Sequence, residues 1–303
     1  MSAIPLSILW RGSLSSCNYG CGYCPFAKTT DSKASLAKDR AALERFVNWV
    51  ECREGQVSIL ITPWGEALIR NYYRSAIERL SHMSNVPTIA IQTNLSCSTD
   101  WMGRCDLDAA AFWVTYHPGE VDRDTFLRKI ERLEAMKVRY SVGIVGKREH
   151  LDEVETLRRD LPRNAYLWVN AYRVAPHRYS DDDVARLTAV DPLFTLNNRS
   201  YRSLGRACGA GESVISVDAD GAAQRCHFVK TPIGNIYDPD FDQALRPRPC
   251  SAAACHCHIG YSHLKDLDLQ ELFGTGFLER RPPAGVSISD ANARLEAFAK
   301  PAD

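Results

Sequence analysis

Along the first 170 residues, short apolar runs alternate with longer stretches in which apolar side chains recur every three or four positions. The runs at 5–10, 57–62, 87–92, 110–116 and 138–145, and a sixth starting at 166–169, have the length and composition of buried strands. Between them, 36–51 carries Leu43, Phe46, Val47 and Val50 on one helical face, with Ser35 as its expected N-cap. Residues 69–83, 121–137 (Phe126, Ile130, Leu133) and 149–161 (Leu151, Val154, Leu157) read as further amphipathic helices. Strands that alternate with helices predict parallel βα units, whose reactive loops sit at the carboxyl ends of the strands.

The pattern changes after residue 170. A connector follows, in which Ser180 and three aspartates mark a helix N-terminus. Residues 213–217 and 222–226, joined by a turn at Gly221, predict a β-hairpin, and 233–236 a further short strand. Residues 264–273 read as a helix, and 280–303 as a Pro/Ala-rich surface tail across the open end of the barrel. The expected division is 1–175, 176–205, 206–275 and 276–303.

Composition narrows the class. The 303 residues are 45% hydrophobic and 24% charged, which suits a globular core. Thirty-seven basic residues balance thirty-seven acidic ones, so no standing affinity for nucleic acid or membrane is expected. Arg246, Arg248, Arg280 and Arg281 form short basic clusters, expected on solvated faces. No basic segment precedes the first apolar run, and no run reaches membrane-spanning length, so a cytoplasmic protein is expected. Eleven cysteines in such a chain point to metal rather than disulfides.

Three of them, Cys17, Cys21 and Cys24, follow the first strand at C-x3-C-x2-C spacing. A tight loop brings three thiolates to one centre, one fewer than closes a four-iron cubane, so one iron stays open. A structural zinc site is the alternative, although zinc ligands usually come as two pairs. The stretch from Ser16 to Cys24, with Tyr23 before the third cysteine, resembles the cluster loop of the radical S-adenosylmethionine (SAM) superfamily. The resemblance implies a partial (β/α)6 TIM-like barrel and a [4Fe-4S] cluster whose open iron chelates the amino and carboxylate groups of SAM. It also implies an external one-electron reductant of the flavodoxin or ferredoxin kind. Pro63-Trp-Gly65-Glu66-Ala67 stands where the family has Gly-Gly-Glu-Pro against the SAM amino group; Trp64 and Ala67 depart from it. Thr93 and Asn94 fall where the family places polar residues near the SAM ribose and carboxylate; Thr115 and His117 end the fourth strand similarly. Ile144, Gly146 and Glu149 match the family's G-x-I-x-G-x-x-E pattern, which packs on adenine, with Val142 replacing the first glycine.

Cys208-x12-Gly221-x4-Cys226, followed by Cys250, Cys255 and Cys257, resembles the SPASM/twitch extension of that superfamily. The resemblance implies a small C-terminal cysteine-rich β-hairpin domain holding one auxiliary [4Fe-4S] cluster. Cys208 and Cys226 are the firmer ligands, with two more from the later three; structural zinc again is the alternative. Cys52, Cys97 and Cys105 belong to neither group, and ordinary packing is expected, with Cys97 or Cys105 as a less favoured hydrogen-atom donor. The expected activity is hydrogen abstraction from a small-molecule or peptide substrate with an oxidative outcome. A redox-neutral epimerase or isomerase is the chemical alternative. A non-catalytic iron–sulfur carrier or zinc scaffold is the alternative of another class.

Overall fold

The computed structural model describes residues 5–26, 29–174 and 178–299. Six parallel strands, β1 (Leu6–Gly12), β2 (Val57–Ile61), β3 (Ile89–Thr93), β4 (Ala110–Tyr116), β5 (Arg139–Gly146) and β6 (Leu167–Ala171), lie side by side in chain order. Helices α1 (Lys33–Glu51), α2 (Asn71–Ser81), α3 (Arg123–Ala135) and α4 (Leu151–Asp160) cover the outer face, and α5 (Asp181–Val190) follows β6. The α1 cap is Ser32, whose side chain accepts from the Ser35 amide, so the helix begins a turn earlier than the apolar pattern shows. The helix after Ser180 is closed by a capping box with Asp183.

Strand alternation sorts the side chains into two layers. Ile59, Ile61, Phe112, Val114, Val142 and Ile144 face the helices in one continuous core, where Trp10 stacks on Phe46 of α1 at 4.2 Å between ring centroids. Leu9, Leu60, Ala90, Ala111, Trp113 and Trp168 face the lumen. Trp168 fits only because β5 carries Gly143 opposite it, where an added Cβ would stand 1.9 Å from the indole ring.

The hairpin does not form a sheet of its own. Its first strand, β7 (Val214–Asp218), pairs in parallel with β1, and β8 (Ala222–Cys226) and β9 (Val229–Asn235) add antiparallel strands outside it. The result is one nine-stranded sheet in the order β9-β8-β7-β1-β2-β3-β4-β5-β6. A one-sided apolar hairpin needs a partner edge, and β1 offers the free one. The cysteine-rich remainder packs as a second core with Tyr201, Tyr261, Leu264 and Phe273.

Two elements differ from expectation. The predicted helix over 264–273 breaks at Asp268, whose φ is +46°, into a turn at Lys265–Leu267 and a short helix, Leu269–Phe273. The tail is not loose: α6 (Ile288–Ala299) buries Ala291, Leu295 and Phe298 against the second core, and residues 300–303 lie outside the described range. Residues 277–281 enter the lumen instead, where Ser141 Oγ donates to the Glu279 carbonyl and Arg139 pairs with the Glu279 carboxylate at 2.9 Å. Arg280 is therefore 2% exposed, not solvated.

Gly143→Ala is expected to lower stability by about 2–3 kcal/mol through overpacking against Trp168, read from the urea unfolding midpoint.

Candidate active site

The loop after β1 is held from both sides. The Ser13 amide donates to Asp39 of α1 at 2.9 Å, and the same carboxylate accepts from Tyr72 at 2.9 Å. The amides of Ser15 and Ser16 donate to Asp31 at 2.9 and 2.8 Å. Partial burial raises the Asp31 pKa, but these bonds and those from the serine hydroxyls outweigh it and hold the carboxyl below its ordinary value. The Trp64 and Glu66 amides then bond to the carbonyls of Leu14 and Ser16, at 3.2 and 3.1 Å. The turn after β2 is thus laced onto the cysteine loop. A Cβ on Gly65 would stand 1.9 Å from the Ser16 carbonyl oxygen, so glycine is required there.

Glu66 is buried, and its carboxylate accepts from the Leu68 amide (3.0 Å), Thr93 Oγ1 (2.8 Å) and the Asn94 amide (2.6 Å). Burial raises its pKa, and the three donors oppose that shift. Glu66 therefore joins the ends of β2 and β3, and Thr93 serves it. Asn94 reaches on to the cysteines: its Nδ2 stands 3.7 Å from Cys17 Sγ and 3.2 Å from Asn18 Oδ1. From the end of β4, His117 Nδ1 lies 2.8 Å from the Tyr23 hydroxyl and 3.4 Å from Cys21 Sγ. Burial depresses the His117 pKa to about 4, so the ring is neutral at pH 7.

These groups open on one cleft of about 420 Å³ at the carboxyl ends of the strands. Cys17, Cys21, Cys24, Tyr23, Gly65, Glu66, Thr93, Asn94, Thr115 and His117 all line it. Ile144 and Gly146 do not. Strand alternation turns Ile144 to the helices, and the Gly146 carbonyl accepts from the Tyr179 hydroxyl, while Glu149 pairs with Lys147. On β5 the inward residue beside the cleft is Val145. Gln92, Trp168, Asn170 and Tyr172 also line it and were not anticipated. An inward alternation carried to the last residue of each strand finds Gln92, Trp168 and Asn170.

Among the described residues, no three His, Cys, Asp or Glu side chains are gathered tightly enough for a single metal ion. The thiolates of a cubane bond to different irons and stand apart by the width of the cluster. The three loop thiols share one cleft with the neutral imidazole and the Asn94 amide, a donor set that fits such a cluster with one iron open. Burial raises Cys17, and pushes Cys21 up to about 11, so loading a cluster would displace thiol protons.

A second group assembles on the other side of the lumen. Cys208 is buried in a bridge to Arg248, and electrostatic contact links it with Cys226 and Cys250. Burial and the neighbouring thiols of Cys226, Cys257, Cys250 and Cys208 push Cys255 up to about 12. Cys257 is one of these four and the exposed one of the C-terminal cysteines, and the guanidiniums of Arg280, Arg173 and Arg11 act on it. Cys97 and Cys105 are packed in the outer core, and Cys52 is exposed at the end of α1.

Glu66→Ala strips an acceptor from three donors and is expected to cost about 2–4 kcal/mol, with Glu66→Gln milder, read from urea unfolding. Gly65→Ala must push the Ser16 backbone away, and faster amide exchange over residues 13–26 is the expected sign.

No family model matches this chain, and no curated protein matches it in sequence. Solved structures do match. The protein is similar to native anSMEcpe with bound AdoMet at 15% identity and a TM-score of 0.56, over 97% of this chain and 96% of that one. The structure of anSMEcpe with AdoMet and a Cp18Cys peptide matches at 14% identity and a TM-score of 0.53, over 97% and 95%. SuiB of Streptococcus suis matches at 13% identity and a TM-score of 0.55, over 80% of this chain and 66% of that one. These neighbours are radical SAM enzymes, and at such identities the likeness establishes a shared fold: a mixed α/β partial barrel on a parallel sheet.

Proposed function

We propose that this protein is a radical SAM enzyme acting on a peptide substrate, with an oxidative outcome. The single observation that carries the reading is the cleft itself. There the C-x3-C-x2-C thiols meet the Gly65–Glu66 turn and the ends of β3 and β4, on a barrel shared with AdoMet-bound enzymes. The peptide assignment rests on the anSMEcpe complex with a peptide, whose fold spans nearly this whole chain.

Cys17, Cys21 and Cys24 would hold the first [4Fe-4S] cluster, and Cys208, Cys226, Cys250 and Cys255 an auxiliary one. When bound, the clusters and SAM supply a 5′-deoxyadenosyl radical for hydrogen abstraction and an acceptor for the electron left on the substrate. The protein's own part is positional. Glu66 and Gly65 present the turn whose unpaired backbone carbonyls suit the SAM ammonium, and Asn94 bridges that shelf to Cys17. Neutral His117, fixed by Tyr23, offers a nitrogen beside the cluster loop without adding charge there. Trp64, Trp168 and Tyr172 wall the cleft against water. An external one-electron reductant, flavodoxin or ferredoxin, would serve a cytoplasmic enzyme of this kind.

One observation favours a second reading. Cys257 is the exposed member of the C-terminal cysteines. A thiol in that place can return a hydrogen atom to a substrate radical, which gives redox-neutral epimerisation.

Protein reconstituted without oxygen is expected to hold about eight irons, falling to about four in a Cys17→Ala, Cys21→Ala, Cys24→Ala triple variant. The wild type, reduced with dithionite and given SAM, is expected to form 5′-deoxyadenosine, and the triple variant none. Zinc in place of iron, or iron without 5′-deoxyadenosine, would make the chain a scaffold or an electron carrier. One deuterium taken from heavy water into an otherwise unoxidised product, lost in Cys257→Ala, would establish epimerisation instead.

A further inference from the structure

Arg280 and Arg11 are 2% and 8% exposed, and among the described residues neither has a carboxylate within ion-pair distance. Arg280 Nη1 and Arg11 Nε are buried without any hydrogen-bond partner. Arg11 makes one side-chain bond, to Thr62 Oγ1 at 3.3 Å. Arg280 acts on the buried Asp191, but Asp191 spends its oxygens on the Tyr166 hydroxyl and the amides of Val169 and Leu193. Arg280 also sits at φ +55°, a left-handed backbone that a long side chain rarely adopts. A buried unpaired charge and a strained backbone at one position are both unfavourable to folding, so such a residue points to a ligand.

Its surroundings say which. Arg280 lies over the Trp168 ring at 4.7 Å and Arg11 over the Trp64 ring at 5.2 Å, and both indoles line the cleft. Arg11 is the last inward residue of β1, and Arg280 arrives from the segment inserted into the lumen. With Arg173, which follows β6, they are the charged groups that act on Cys257. Neutralising the second cysteine group does not account for them. Arg225 already stands against Cys208 and Cys226, held by the carbonyls of Ala210, Arg248 and Pro249.

We propose that the chamber between the two cysteine groups selects a substrate bearing a carboxylate, which Arg11 and Arg280 attract and orient beside Cys257. This rests on the radical SAM reading and adds the substrate's charge to it. In an otherwise neutral protein, guanidiniums seated against indoles that line the cleft concentrate anions and reject cations.

The test uses the cluster-loaded protein, with Cys52 as an internal reference thiol on the surface. Cys257 is alkylated with anionic iodoacetate or neutral iodoacetamide, and both rates are followed by peptide mass spectrometry. The ratio of the two reagents at one thiol cancels its ionisation and reports the local field. Relative to Cys52, the iodoacetate preference at Cys257 is expected to be at least about tenfold higher. It should fall several-fold in Arg280→Met and in Arg11→Met. An acidic peptide with an amidated C-terminus and a neutral peptide with a free C-terminus are then compared as protectants. Protection by either, absent with a neutral amidated peptide, supports the proposal and says whether the carboxylate is a side chain or a terminus.

Equal reagent preference at Cys257 and Cys52, protection by all three peptides alike, or a Cys257 inert to both reagents would overturn it. Arg280→Met should unfold at the same temperature as the wild type or higher, because it removes an uncompensated charge. A marked drop would make Arg280 a structural residue and also overturn the proposal. Formation of 5′-deoxyadenosine without substrate is measured in parallel. Its presence alongside a failed anion test removes this inference alone, and its absence removes the radical SAM reading.

Discussion

The contact on which the site depends is backbone against backbone: the Gly65 turn laid across Ser16 at a separation that leaves no room for a side chain. It joins the exit of β2 to the exit of β1, and so sets the three thiols relative to Glu66 and Asn94. Glu66 then carries the link to β3 through two of its three bonds. Three loops become one shelf, because the Trp64 and Glu66 amides and the Glu66 carboxylate bond across the joint.

That shelf faces inward because the strands beneath it sort their side chains strictly by parity. The helices take one set and the lumen takes the other, and the lumen set is too bulky to sit opposite itself without Gly143. The same parity aims Arg11 at the chamber and removes Ile144 from it. Function and packing here are two readings of a single alternation.

The lumen is closed from an unexpected direction. The segment at 277–281 drives a charged pair and an arginine into the barrel, and β7 seals the β1 edge. Arg280 is thereby brought over the Trp168 ring, at 4.7 Å, beside the cleft.

Much of this was written locally. The six strands, their helices, the cysteine loop and the Gly65–Glu66 turn were legible because hydrophobic period and motif spacing act over a few residues. The outer core followed from the same periodicity. Parity across a strand end was not read out, since only the start of β6 was predicted and Asn170 went unnamed, and a family pattern overrode alternation at Ile144. Nor was the fate of Arg280: a basic residue in a Pro-rich tail looks solvated until the chain is seen to turn into the barrel. Residue type and spacing determined which groups can do chemistry in this protein. Which of them face one another, and which charge is left unpaired, was decided only when segments 250 residues apart shared a lumen, because burial and electrostatics are properties of neighbours in space.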